Sequence, residues 1–125
     1  MDKMTVSTDD APAAIGPYSQ AVNAGDRVYV SGQIPMTPGG ELVSGDVREQ
    51  AEQVLKNLQA ILSAAGSDID KVLKTTIYAD DLDDYDTINE VYAGYFSDNP
   101  PARAFVEVSR LPRGVKLEIE AVAVL

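Results

Sequence analysis

The C-terminal segment VKLEIEAVAVL, residues 115–125, alternates side chains with period two. Leu117, Ile119, Ala121 and Ala123 fall on one side; Glu118, Glu120, Val122 and Val124 fall on the other. That pattern commits the segment to a β-strand with one buried face. A strand of this kind needs an apolar cover, and the rest of the sequence supplies candidates for it.

The segment DVREQAEQVLKNLQAILSAAGS repeats Val47, Ala51, Val54, Leu55, Leu58, Ile61, Leu62 and Ala65 at helical spacing. Asp46 is placed to cap it, Glu49 sits three residues later, and Gly66 ends it. DYDTINEVYAGYF predicts a second helix with Ile88, Val91, Tyr92, Tyr95 and Phe96 on one side. Asp83 or Asp84 is its expected cap and Asn99-Pro100-Pro101 its end. Strands are expected in YSQAVNAGDRVYVSGQIP, around a turn at Ala24-Gly25-Asp26, in KVLKTTIYA, and in ARAFVEVSR and VKLEIEAVAVL, paired around a turn at Leu111-Pro112-Arg113-Gly114. Residues 1–17 read as an irregular lead-in with an edge strand at MTVST. The order predicts one α+β domain over residues 1–125, a mixed sheet with two helices packed on one face.

The helix-covered face is expected to hold Val28, Val30 and Ile34; Leu73, Thr75 and Ile77; Ala104, Val106 and Val108; and the apolar set of the last strand. The opposite face then carries Tyr29, Ser31 and Gln33; Lys74, Thr76 and Tyr78; Arg103, Phe105 and Glu107; and Glu118, Glu120, Val122 and Val124. It is too apolar for a wet surface and too polar for a core. Such a face is expected to meet other subunits, with a polar site at the seam.

Composition removes whole classes of chemistry. The 125 residues contain no cysteine and no histidine, so thiol and Ser-His-Asp catalysis are excluded. The commonest transition-metal ligand is missing as well, and no phosphate-binding glycine motif is present. The formal charge is −10, which argues against nucleic acid as a partner. TDD, SDID and ADDLDDYD read as solvated surface, with a high-salt cytoplasm as the sharper alternative. No apolar run is long enough to span a membrane and no export signal opens the chain, so a cytoplasmic protein is expected.

The remaining candidates are few. Arg103 offers a planar fork that suits a carboxylate, or a structural salt bridge to Glu107, Glu118 or Glu120. Glu118 and Glu120 share one strand face, either as interface carboxylates or with one of them positioning water. Tyr18 is a packing aromatic or a ligand wall. Ser31 and Gly32 mark a bulge or a close ligand approach. Asn89 sits exposed on the second helix.

Five segments together resemble the Rid (YjgF-type) family. They are APAAIGPYSQAV; VYVSGQIP; QVLKNLQAILSAAGS with VLKTTIYADDL; INEVYAGYF; and PPAR followed by VEVSRLPRGVKLEIEAVAV. The match runs from about Ala11 to Val124. The resemblance implies a fold like that of the small chorismate mutases and a homotrimer with ligand sites between subunits. It implies a cofactor-free enzyme that hydrolyses 2-imino acids and their enamines to 2-oxo acids and ammonia, protecting pyridoxal-phosphate enzymes. By the same resemblance Arg103 clamps the substrate carboxylate and Glu118 holds or activates water. Tyr18, Ser31, Gly32 and Asn89 contact the ligand, and Glu120 is structural.

One position departs from the pattern. The family often follows this arginine with Ser or Thr and then a small residue; here Ala104 and Phe105 follow. By alternation Phe105 shares the Arg103 face and is expected to reshape or gate the pocket. A non-catalytic trimer that binds 2-oxo acids is the alternative reading. RNA cleavage, also associated with the family, is disfavoured by the acidic balance and the missing histidine.

Overall fold

The computed structural model describes residues 2–125. Its elements are β1 (Lys3–Val6), β2 (Ala21–Ala24), β3 (Arg27–Gln33), α1 (Val47–Ala64), β4 (Val72–Ala79), α2 (Tyr85–Ala93), β5 (Ala102–Glu107) and β6 (Leu117–Val124). The strands form one sheet in the order β1-β2-β3-β6-β4-β5. All pairs are antiparallel except β4 with β5.

The position of the helices follows from the connections. β3 and β4 both run antiparallel to β6, so they are parallel to each other with β6 between them. The α1 connection therefore crosses from β3 to β4, and the α2 connection crosses onward from β4 to β5. Crossovers between parallel strands are right-handed. Two right-handed crossovers that advance in the same direction place both helices on one face, as expected from the sequence.

Helix α1 begins where Asp46 accepts a hydrogen bond from the Glu49 N–H (3.0 Å). It ends in a Schellman motif: Ser67 N–H reaches the Leu62 carbonyl and Gly66 N–H the Ser63 carbonyl, with Gly66 at φ +88°. Val54, Leu55, Leu58, Ile61 and Leu62 are fully buried against Val28, Ile77, Leu117, Ile119 and Ala123. Helix α2 is shorter than the sequence suggests and stops at Ala93. Neither Asp83 nor Asp84 caps it with a side-chain bond; Asp81 instead caps the 3-10 turn Leu82–Asp84 that leads into it.

Three details of the face assignment are corrected. The β3–β6 register shifts between Val30 and Gln33, so Gln33 is buried and Ile34 only partly so. A second shift between Val72 and Lys74 buries Val72 and leaves Leu73 exposed. A bulge inserts a residue, which moves every later side chain to the other face.

The third correction concerns β5, where the two faces are exchanged. Arg103 pairs with Thr75, and Phe105 with Ile77. Thr75 and Ile77 are fully buried under the helices, so Arg103 and Phe105 lie on the helix side. Ala104 pairs with Thr76 and Val106 with Tyr78, on the open side. Apolar Ala and Val suggest a core face, yet β5 is an edge strand beside α2. There the perimeter accommodates a long arginine stem, while the open face is itself apolar. The residues 102–107 and 117–124 are also not partners, because β4 lies between them.

Candidate active site

The bulge in β3 builds one group of predicted residues. Ser31 Oγ donates to the Ser19 carbonyl (2.5 Å), and Ser31 N–H to the Gln20 carbonyl (3.0 Å). Gln20 is buried and ties down the lead-in. Its Oε1 accepts from Thr8 N–H (2.7 Å), and its Nε2 donates to the Thr8 (3.0 Å) and Pro12 (2.9 Å) carbonyls. The half-exposed Tyr18 is thereby held beside the bulge. The serine hydroxyl proton is committed to this loop, which leaves its lone pairs as its remaining polar capacity.

Gly32 lies directly against Glu118. A β-carbon at position 32 would fall on the Glu118 carboxylate. Glycine is therefore required by the close approach of that side chain. Tyr18, Ser31, Gly32 and Glu118 line one cleft of about 370 Å³ with Ile15, Ile34 and Pro112. Burial raises the Glu118 pKa above the ordinary glutamate value, and the neighbouring Glu120 charge adds to the shift. Glu120 accepts a hydrogen bond from the Tyr78 hydroxyl, which fits a structural role.

Arg103 organises the other group. Its NH1 donates to Asn89 Oδ1 (2.8 Å) and its NH2 to the Tyr85 hydroxyl (3.2 Å). The guanidinium lies 4.9 Å from the Tyr92 ring centre, 5.6 Å from Phe105 and 5.7 Å from Tyr85. Tyr92 is fixed in turn by a hydrogen bond with Thr75 (2.6 Å). Among the described residues no carboxylate lies within 4 Å of Arg103. The expected alternative of a salt bridge to Glu107, Glu118 or Glu120 is not formed; Glu107 instead accepts from Leu82 N–H (2.9 Å). Arg103 and Asn89 line a second hollow of about 350 Å³ with Tyr92, Phe96 and Pro100.

The chain thus sorts the predicted residues into two half-sites. Tyr18, Ser31, Gly32 and Glu118 come together; Arg103, Asn89 and Phe105 come together. The two sets lie on opposite faces of the sheet, because Glu118 shares a rung with Tyr78 and Val106 while Arg103 shares one with Thr75. β5 and β6 are two strands apart, about 10 Å between backbones.

Sequence reading missed Tyr85, Ile15 and Pro112, and took Tyr92 for core alone. Tyr85, Asn89 and Tyr92 stand at i, i+4 and i+7, one helical stripe, which was the available signal. Asn89 is half-buried rather than exposed, because Arg103 covers it.

Comparison with known proteins fits this geometry into a family. The family model described as endoribonuclease L-PSP matches residues 8–125. The chain belongs to this family, the Rid or YjgF type. A human relative of this Rid chain, 2-iminobutanoate/2-iminopropanoate deaminase, is 53% identical over 123 residues, covering 98% of this chain and 90% of its own. The Salmonella typhimurium protein of the same name is 49% identical, with 96% of each chain covered. Among solved structures, E. coli TdcF with bound serine superposes with a TM-score of 0.93 at 47% identity, covering 98% of both chains. The E. coli YjgF gene product gives 0.91 at 48%, covering 97% of this chain and 98% of its own.

Two predictions follow from the glutamate half-site. Gly32→Ala displaces the Glu118 carboxylate while leaving the core intact. Turnover of a 2-imino acid should fall about 10²-fold with little change in the far-UV circular dichroism; full activity would contradict the placement. Glu118 carries a raised pKa, so its ionised form is disfavoured in the fold. The penalty is absent in acid, where the carboxyl is protonated both folded and unfolded, and grows as pH rises through the raised pKa. Glu118→Gln should therefore melt above wild type at about pH 7 and level with it near pH 3.5.

Proposed function

We propose that this chain is a cytoplasmic, cofactor-independent 2-imino acid deaminase that works as a homotrimer. Its substrates are 2-aminoacrylate, 2-aminocrotonate and their imine tautomers, and its products are 2-oxo acids and ammonia. Removing these electrophiles protects pyridoxal-phosphate enzymes. The observation that carries the reading is the state of Arg103. Its guanidinium is oriented by two neutral acceptors and an aromatic ring, yet no carboxylate of the described chain neutralises it. A fork held open in this way suits the carboxylate of a small anion.

The open face of the sheet supports assembly. Val22, Tyr29, Val122, Ala104 and Val106 share it with Glu118, Glu120 and Tyr78. Tyr29 and Val106 are strongly exposed. Packing such a face against another copy buries apolar area and offers a way for the Arg103 half-site of one subunit to meet the Glu118 half-site of its neighbour.

In such a seam the chemistry needs little from the protein. A protonated imine is already electrophilic, so orientation supplies much of the rate. Arg103 fixes the carboxylate. Glu118, its pKa raised by burial and by the Glu120 charge, accepts a proton from water as the water oxygen bonds to the imine carbon. The resulting carbinolamine takes a proton on nitrogen, which Glu118 can return. The C–N bond then breaks as ammonia leaves, and the hydroxyl proton passes to the Glu118 carboxylate as the carbonyl forms and from there to ammonia or solvent.

Phe105 favours a second reading. Its ring packs on Tyr85 at 4.8 Å between centres and lies 5.6 Å from the guanidinium, where the family often has a small residue. A trimer that binds 2-oxo acids without turning over imines would tolerate that ring.

A serine or threonine dehydratase coupled to this protein separates the readings. Wild type should speed the disappearance of the 2-aminoacrylate or 2-aminocrotonate absorbance, and Arg103→Ala should lose at least about tenfold. No acceleration by wild type would leave the binding reading in its place. Phe105→Cys should raise turnover or widen the range of imines accepted; unchanged rates on every imine tested would free Phe105 of that role.

A further inference from the structure

The loop that contributes Pro112 to the Glu118 cleft carries charge opposite to that of the protein as a whole. With 20 carboxylates against 10 cationic side chains, the surface on average repels a small anion. Arg110, Arg113 and Lys116 nevertheless fall within seven residues that include no Asp or Glu. Part of that loop, Pro112–Gly114, winds into a short 3-10 turn before β6. Pro112 lines the cleft with Glu118. Arg110 and Arg113, on either side of Pro112 in the same loop, line another hollow of about 580 Å³ together with Asp80.

Two features set these arginines apart. Both are exposed, and among the described residues neither has a carboxylate within 4 Å. Lys116 differs, since it lies close enough to Asp84 to influence that carboxyl. Arg113 also adopts φ 60° and ψ 16°, a left-handed backbone that a β-carbon disfavours and glycine accepts freely. An arginine there carries a backbone cost that glycine would avoid. Strain of this kind at a loop beside a cleft calls for an explanation in terms of the side chain.

We propose that Arg110 and Arg113 form a cationic gate that draws small carboxylate substrates across the acidic surface into the cleft at Glu118. The proposal rests on the reading above that the substrate is a 2-imino acid. A local positive potential raises the anion concentration at the mouth and speeds capture. It acts before chemistry, so it changes kcat/KM and affinity but not kcat. It also fades when salt shortens the screening length to a few ångströms.

The experiment compares wild type, the double variant Arg110→Gln/Arg113→Gln, and Arg113→Gly at about 20 mM and about 500 mM salt. Imine hydrolysis is read by the coupled assay, and 2-oxobutanoate binding by calorimetry. At low salt the double variant should lose about 5–10-fold in both kcat/KM and affinity, with kcat unchanged. At high salt the gap should close to about twofold or less. Arg113→Gly should melt at or above wild type yet share part of the loss, which a purely structural role would not produce. Equal values for wild type and the double variant at low salt overturn the gate. So does a deficit that persists at high salt. If wild type hydrolyses no imine yet binds 2-oxobutanoate with this arginine and salt dependence, the deaminase reading fails and the gate stands. Absence of both activities defeats the two together.

Discussion

Strand β6 holds the molecule together, and its fixed register decides where the candidate site residues lie. It sits between β3 and β4, with Leu117, Ile119, Ala121 and Ala123 buried under the helices. A slip of one residue would put Glu118 and Glu120 into that core, at a cost of several kcal/mol for unpaired buried carboxylates. The register therefore holds both glutamates on the open face, where Gly32 leaves room for one and Tyr78 binds the other. It also forces β4 and β5 outward, so Arg103 is carried to the far edge and the opposite face.

This arrangement gives each half-site its own support. The glutamate side depends on long-range ties: Gln20 anchors the lead-in, and Asn57 on α1 donates to the Ile34 (3.3 Å) and Met36 (2.8 Å) carbonyls just after the bulge. The arginine side depends on α2, whose Tyr85, Asn89 and Tyr92 form the cradle. An ion pair would anchor the guanidinium more strongly, but it would also consume the charge a substrate needs. Neutral acceptors and an aromatic face orient the cation and leave that charge available.

Much of this was legible in the sequence because the signals were periodic. The apolar spacing of α1, the alternation of β6 and the Gly66 stop are local properties, and each gives its element. The glycine at position 32 signals a bulge or a close approach, and both occur there; the shift at Leu73 carries no such local signal, since a register shift depends on the partner strand. The face of Arg103 was misread for a related reason. Alternation says that Arg103 and Phe105 share a side, which is correct, but not which side is covered. That depends on β5 pairing with β4 in parallel, a property of the whole sheet. The Tyr85-Asn89-Tyr92 stripe was present in the sequence, yet its meaning emerges only when the arginine is placed against it. Side-chain chemistry and strand position single out most of the candidate residues, the family resemblance implies their roles, and their division into two groups comes from the topology.

The central claim is that one chain cannot complete its own site, and subunit mixing tests it most directly. Arg103→Ala and Glu118→Ala, each assayed alone for its residual activity, would be unfolded together, refolded, and assayed after mass spectrometry has verified mixed oligomers. If a site takes Arg103 from one subunit and Glu118 from its neighbour, random mixing leaves about one quarter of the sites with both groups intact. Activity near a quarter of wild type is the predicted result. Mixed oligomers with no recovered activity would contradict the account, because they would place both residues of each working site on the same chain.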